Sequence, residues 1–285
     1  AKAATTSITA NGLEFAAADL TGGNVAADAA TFATIATHGL SLKSGAGGVS
    51  VRAGGGSATG IAAPGLAAAN AQASGLGSDT HDGTTSLSAD RLQLGAIDAK
   101  GFHADKTDIA GASLSTAGTG AGASASARQI NSTGLAAGGA TIGSVTGSDA
   151  QLTVDSGLVS AGLGSAEARD VRGGGVALER ASGTNLHAVV GEGGTKLSAP
   201  QLRGTNLSGN GLSVADVSAK GATLGSAGGV HVNAEELHAR GLAGGGVSAD
   251  KAEATGVSVR TGEGDISASA RNASATNLAA GGFRA

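Results

Sequence analysis

The feature that most constrains this chain is an apolar residue that returns every five positions, in a rhythm that resets about every 36 residues. Of 46 such anchor positions, 44 hold Ala, Val, Ile, Leu or Phe, and the exceptions are Gly56 and Thr107. Self-similarity at a fixed period is typical of stacked repeat architectures. The repeats begin near residues 15, 51, 87, 125, 161, 197, 232 and 268. The clearest anchors are Leu197, Leu202, Leu207, Leu212, Val217, Leu237, Leu242, Val247 and Val257.

A second regularity is a glycine directly before the fourth anchor in seven of the eight repeats; the first repeat has Ala29 there. The residues before the third and sixth anchors are mostly Gly, Asn or Asp. Glycine lacks a Cβ and the short amides and acids bond locally, so all three tolerate a left-handed backbone. We therefore expect the chain to turn corners before these anchors. The glycines assigned as corners are Gly65, Gly101, Gly139, Gly175, Gly211, Gly246 and Gly282.

The step of five predicts an all-β protein, a single-chain parallel β-solenoid of about fifteen coils with three faces. A helix is disfavoured because its apolar period is 3.6 residues. Each 36-residue repeat is expected to divide into coils of about 15 and about 21 residues. The longer coil contains a glycine-rich excursion, such as the one from Ser41, that predicts a small hairpin or rim loop. We expect one continuous solenoid over residues 1–285, part of a longer array.

The composition fits a thin core better than a conventional one. The chain has 52 Gly, 2 Pro and 4 Phe, and no Cys, Met, Trp or Tyr. Charged residues make up only 14% and the net charge is −4, which is unlike ordinary disorder. Without cysteine there are no disulfides, and no apolar run is long enough to predict a membrane span.

No motif for catalysis, a cofactor or a metal is found. The six histidines occupy different places in the repeat, so they do not predict a metal ladder. The segment Asp79–Gly83 fails the EF-hand pattern because His81 and Gly83 stand where oxygen ligands belong. The glycine-rich turns lack the Gly-Lys-Ser/Thr ending of a phosphate loop. Scattered basic residues and missing aromatic residues argue against nucleic-acid binding. The sequence therefore predicts a protein that is not an enzyme.

Several segments resemble the pentapeptide-repeat family, whose signature is a small residue, Asp or Asn, Leu or Phe, and a small polar residue. They are Ala18–Thr21, Thr205–Gly209, Asn210–Ser213, Ala215–Ser218 and Thr276–Leu278. The resemblance implies a right-handed solenoid of four pentads per turn, whereas the repeat here suggests three. In composition the chain also resembles the stalks of large secreted bacterial haemagglutinins and fibre proteins.

These observations predict a structural rod, a segment of a bacterial extracellular fibre, adhesin stalk or similar appendage at the cell surface. We expect self-association, end to end or with other copies, because an uncapped solenoid end is an open sheet edge. The alternative is a module that binds a surface, a glycan or ice through a solenoid face or its glycine-rich rim loops. One register with Thr59, Thr133, Thr205 and Thr276 comes partway to an ice-binding rank. A DNA mimic is disfavoured by the small net charge.

Overall fold

The computed structural model describes residues 2–9, 12–27, 30–45, 48–117, 122–155, 157–192, 194–226, 230–261, 266–280 and 283–284. The described residues form strands joined by short connections, and none of them is helical. The prediction of an all-β repeat protein is thus confirmed at this level. The corner assigned to Gly282 lies outside the described residues.

The chain divides into two compact units. The first comprises Ala1–Gly138 and Ala150–Ser156, and the second comprises Gly139–Asp149 and Gly157–Ala285. Strand β9 (Ala140–Asp155) is shared between them. The other strands of the first unit are β1 (Lys2–Thr9), β2 (Gly12–Ala27), β3 (Ala30–Gly45), β4 (Gly48–Ala63), β5 (Leu66–His81), β6 (Thr84–Ala99), β7 (Phe102–Ala117) and β8 (Ala123–Ala137). Those of the second are β10 (Leu158–Gly173), β11 (Val176–Gly191), β12 (Gly194–Gly209), β13 (Leu212–Gly225), β14 (Val230–Gly244), β15 (Val247–Thr261), β16 (Ile266–Ser269), β17 (Asn272–Thr276), β18 (Ala279–Ala280) and β19 (Phe283–Arg284).

The parallel β-solenoid prediction is wrong, because consecutive strands in both units pair antiparallel. In the hairpin of β11 and β12, Gly191 pairs with Gly194 at the turn and Val176 pairs with Gly209 at the far end. Strands of about 16 residues separated by two residues can form only hairpins, since a parallel crossover needs a dozen residues or more. The 36-residue repeat is therefore one hairpin and its two turns. The expected division into unequal coils is replaced by two nearly equal strands.

The described glycines assigned as corners occupy the second position of these two-residue turns. Their φ angles are 75° to 82°. In Asn210-Gly211 both turn residues have positive φ, 50° and 77°, which is the type I′ geometry that matches the twist of paired strands. These glycines thus reverse the chain between antiparallel strands. The described glycines of this set are Gly65, Gly101, Gly139, Gly175, Gly211 and Gly246.

The residues before the third and sixth anchors form a second set with a left-handed backbone. All of them lie inside strands except Asn277, which stands between β17 and β18. Their φ angles fall between 46° and 62°. Neighbouring strands carry this residue alternately at two levels, so two bend columns cross the strands. In β2 the bend residue is Asn24, and in β3 it is Gly39. The members are Asn24, Gly39, Gly60, Gly75, Ala96, Gly111, Gly134, Asp149, Asp170, Asn185, Asn206, Gly221, Gly241, Gly256 and Asn277.

The bend columns explain the step of five. Within a strand, alternate residues point to the same side. At each bend column two successive residues lie on the outer side, as exposed Gly23 and Asn24 do in β2. The order of side chains along a strand is therefore inward, outward, inward, outward, outward, and this unit of five residues repeats. In β12 the inward residues are Leu197, Ala199, Leu202, Gly204, Leu207 and Gly209. The outward residues of the same strand include Lys196, Ser198, Gln201, Arg203, Thr205 and Ser208.

Substitutions at Gly39 test the bend geometry, because a side chain there meets little steric hindrance. Its φ is +62°, and a Cβ built there would meet nothing closer than the Gly54 nitrogen at 3.5 Å. We expect Gly39→Asn to change the free energy of unfolding by less than about 0.5 kcal/mol, because Asn adopts this conformation readily. Gly39→Val should cost about 1–2 kcal/mol through backbone strain alone. Equal losses in denaturant titrations of the two variants would contradict the assigned bend.

Candidate functional site: the apolar face and its polar reverse

The nine clearest anchors all lie on one side of the second unit's strands, which we call the apolar face. They do not form the closed core of a solenoid. Leu197, Leu202 and Leu212 remain 41%, 37% and 44% exposed. Cross-strand neighbours on this face include Leu197 with Leu224 and Leu207 with Val214. The anchors therefore form a layer that is only partly shielded from water by the chain itself.

The best-buried residues of this face stand two positions after an anchor, where the sequence analysis assigned no role. Ala199 is 6% exposed and Val214 is 5% exposed, well below the anchors that precede them. The signal was present in the sequence, because the positions two after each anchor hold Ala, Gly, Val or Leu through most of β10 to β15. A strand with two inward residues per segment predicts this pair, whereas one inward residue per solenoid face does not.

Two adjoining grooves run over the apolar face. One has a volume of about 440 Å³ and is lined by Leu163, Leu186, Leu197, Leu202, Leu224 and Val232 among others. The second has about 380 Å³, and Leu178, Gly183, Gly204 and Val217 contribute to its wall. Their accessible linings are almost entirely apolar. Large side chains stand beside glycines here, because a Cβ added at Gly183 or Gly204 would press against neighbouring leucines.

A polar pair interrupts the apolar face of the first unit. Thr107, the anchor that breaks the apolar rule, lies in β7 opposite Ser132 of β8. Both residues are buried, and their hydroxyl oxygens are 3.0 Å apart. Each hydroxyl thereby gains the hydrogen-bond partner that a buried polar group requires. The exception at Thr107 is thus a matched substitution across two strands.

The opposite side of the strands carries charged and hydroxyl side chains in cross-strand pairs. Glu167 of β10 accepts hydrogen bonds from Arg180 of β11 and from Arg169 at 2.8 Å. The Arg180 bond first, and the Arg169 bond second, hold the pKa of the Glu167 carboxyl below its usual range. Arg52 donates to Asp79 at 2.6 Å in the same manner, and this bond lowers the pKa of Asp79. Because these ion pairs are exposed, they add little to the free energy of unfolding. Their main effect is to favour the correct register of neighbouring strands.

One histidine has carboxylates on both sides of its ring. His103 follows the turn between β6 and β7, with Nδ1 2.7 Å from the Asp98 carboxylate and Nε2 3.1 Å from that of Asp105. The hydrogen bond with Asp98, followed by that with Asp105, raises the pKa of His103 above its ordinary value. The sequence analysis treated all histidines alike and did not foresee this site. No cluster that could ligate a metal occurs among the described residues.

The remaining sequence candidates fall in ordinary positions. Asp82 and Gly83 form a two-residue turn with positive φ at both, and Asp79 is paired with Arg52. The threonine register runs along the outer side, where Thr34 and Thr59 share a hydrogen bond of 2.7 Å. The described residues include no helix that is long and apolar enough to span a membrane.

Comparison with known proteins adds no relative: no family description, no curated protein and no solved structure matches this chain. The resemblance to the pentapeptide-repeat family is not supported, since that family's solenoids are parallel and the strands here are antiparallel. What remains of it is the repeat itself, a long series of strands of similar length.

The Thr107–Ser132 pair predicts non-additive stability effects. Thr107→Val or Ser132→Ala alone leaves one buried hydroxyl without its partner and should lower the free energy of unfolding by about 1–2 kcal/mol. The double variant removes both polar groups, so it should recover most of this loss. A double-mutant cycle by urea denaturation measures the coupling. Simple addition of the two losses would show that the hydroxyls do not depend on one another.

His103 predicts a pH effect with a defined sign. Because its pKa is raised in the folded state, the stabilisation is complete below the unfolded pKa and is lost as the pH rises through the folded pKa. NMR titration should give His103 a pKa above the ordinary histidine value, and Asp98→Asn should lower it. Asp90→Asn removes a carboxylate from the same strand as a control and should leave the pKa of His103 unchanged. A His103 titration that does not respond to Asp98→Asn would contradict the assignment.

Proposed function

We propose that the chain is a structural protein, a segment of a bacterial extracellular fibre, stalk or similar appendage that assembles with copies of itself. The observation that carries the proposal is the uniformity of the hairpins. From β2 to β7 and from β10 to β12, each strand has 16 residues. A structure of this kind lengthens by adding repeats, and no repeat needs a specialised site.

Backbone pairing supports a mechanical role. Each inner strand is hydrogen-bonded along most of its length to two neighbours, so the load is carried by main-chain bonds and depends little on particular side chains. Each 36-residue hairpin adds two strands, or about 9.6 Å across the strands. A low content of bulky residues is compatible with this role, since hydrogen bonds between strands provide much of the stability.

The alternative, binding of a surface, a glycan or ice, has weaker support. The outer threonine register contains Lys106 in β7 and Arg169 in β10, which interrupt any flat rank of hydroxyls. Thr34 and Thr59 also bond to one another. Binding to ice would need a regular row of threonine hydroxyls that are free to bond with water. The repeated, interchangeable hairpins favour the structural role.

Deletion in phase with the repeat tests this function. Removing residues 51–86 from the first unit, or residues 161–196 from the second, joins equivalent positions of successive hairpins. Both variants should remain folded by circular dichroism and still assemble in electron micrographs. Cryo-electron microscopy should show the affected unit shorter by about 9.6 Å. A structural rod predicts the same result for both deletions, whereas a binding module predicts that one of them abolishes recognition.

A deletion out of phase provides the matched control. Removing residues 48–65 takes out β4 and its following turn, so β5 would follow β3 directly. Ala68, Ala73 and Ser78, half of the inward residues of β5, would then point outward, and its bend residue would leave its column, because the new pairing is out of register with the faces of β3. This shorter deletion should unfold the first unit. If it is tolerated and the 36-residue deletions are not, the repeated hairpin is not the functional unit.

A further inference from the structure

We propose that the apolar face of the second unit is covered by the same face of a second copy of this chain. The proposal rests on the structural function above and names one surface, through which copies associate in pairs. Its core is the groove of about 440 Å³ lined by Leu163, Leu186, Leu197, Leu202, Leu224 and Val232, which we call the apolar groove.

The first argument is area. The folded chain exposes 16641 Å² to solvent. A compact protein of 26.5 kDa exposes about 10,700 Å². The difference of roughly 6,000 Å² for one copy exceeds the 1,000–2,500 Å² or so that one subunit of an obligate dimer commonly buries. A sheet with one apolar face must bury that face against another layer, and no second layer among the described residues of the second unit lies over the apolar groove.

The second argument is the chemistry of the groove. Small-molecule sites combine apolar walls with a few polar groups that fix the ligand's orientation. The accessible lining of the apolar groove is almost wholly apolar, so it offers a ligand no such anchor. A second sheet needs none, because its own backbone polar groups are already paired within its ladder.

The third argument is shape. Leu202 stands beside Gly204 in β12, and Gly183 of β11 faces Leu202 across the strands. The side chains of Leu186 and Leu202 lie over Gly183, so this glycine is buried and the part-exposed leucines form the outer surface. Two copies of one such surface can pack with exposed leucines of each entering the apolar groove of the other, at the roughly 10 Å separation of packed sheets. A two-fold axis makes the contact self-complementary and closed, which leaves the polar sides of both copies in water.

The test compares two neighbouring substitutions in β12. Leu202→Asp places a charge on the apolar face, where the half-exposed position leaves it hydrated in a single copy but buried in the pair. Gln201→Asp places the same charge on the outer side beside Lys220. By analytical ultracentrifugation, the unaltered chain should be dimeric or larger at micromolar concentration. Leu202→Asp should weaken association about 100-fold or more, and Gln201→Asp should not.

A second measurement covers the case in which Leu202→Asp fails to fold. An environment-sensitive fluorophore is attached to Leu224→Cys on the apolar face or to Thr223→Cys on the outer side, in lipid-free buffer. Emission from position 224 should shift to the blue as concentration rises, while emission from position 223 should not. Association that survives a folded Leu202→Asp, with no shift at position 224, overturns the apolar groove as the contact but leaves the structural function standing. A chain that stays monomeric throughout overturns both.

Discussion

The structure depends on the two bend columns. Paired strands are hydrogen-bonded to one another, so a bend in one strand requires the neighbouring strand to adapt at the same level. Each strand carries its left-handed residue at one column, and its neighbours face that column with residues that fit it. A Cβ at Gly75 would collide with Asp90 of the next strand, and one at Gly111 would collide with Arg128. Where the bend residue is an amide, the neighbour can bond it, as Asn277 donates to Asp250 at 2.6 Å. Bend residue and neighbour are therefore matched to one another across these strands.

The separation of apolar from polar side chains follows from these columns. The shift of one residue at each column keeps every inward pair on the same side, so within each unit the anchors and the residues two positions after them share one face. In the second unit the described residues do not cover that face, and its leucines and valines remain partly in water. Association through this face, as we propose, would make the free energy of unfolding depend on protein concentration, because association stabilises the folded state. Assembly and folding are then aspects of one equilibrium.

Much of the local structure could be predicted from the sequence. The all-β class, the repeat length and the places where Gly, Asn and Asp hold a left-handed backbone all follow from residue types and their spacing. Strand direction could not be obtained from the step of five, because a solenoid face of five residues and a bent antiparallel strand give the same spacing of anchors. Two signals discriminate between them. Asn210-Gly211 is a hairpin turn of two residues, and Val214 and Ala199 mark the second inward position.

The parts that sequence reasoning missed are pairings across strands. Thr107 looked like a defect in the repeat until Ser132 was found opposite it. His103 resembled the other histidines, but the turn between β6 and β7 brings Asp98 to one ring nitrogen, while Asp105, two residues further along β7, lies at the other. Such pairs depend on register, and register follows from the length of each turn more than from composition.

The central claim is the nested antiparallel register, and cysteine pairs test it most directly because the chain has no cysteine of its own. In β11 and β12, the structure pairs Arg180 with Thr205, Thr184 with Gln201, and His187 with Ser198, all on the outer side. Each pair replaced by cysteines should form an intramolecular disulfide under mild oxidation, since paired residues lie about 4.5–5.5 Å apart. Cysteines at Thr184 and Thr205, which a parallel coil of about 21 residues would stack, should remain unlinked. Peptide mapping by mass spectrometry that finds the Thr184–Thr205 link, and not the nested pairs, would contradict the antiparallel sheet.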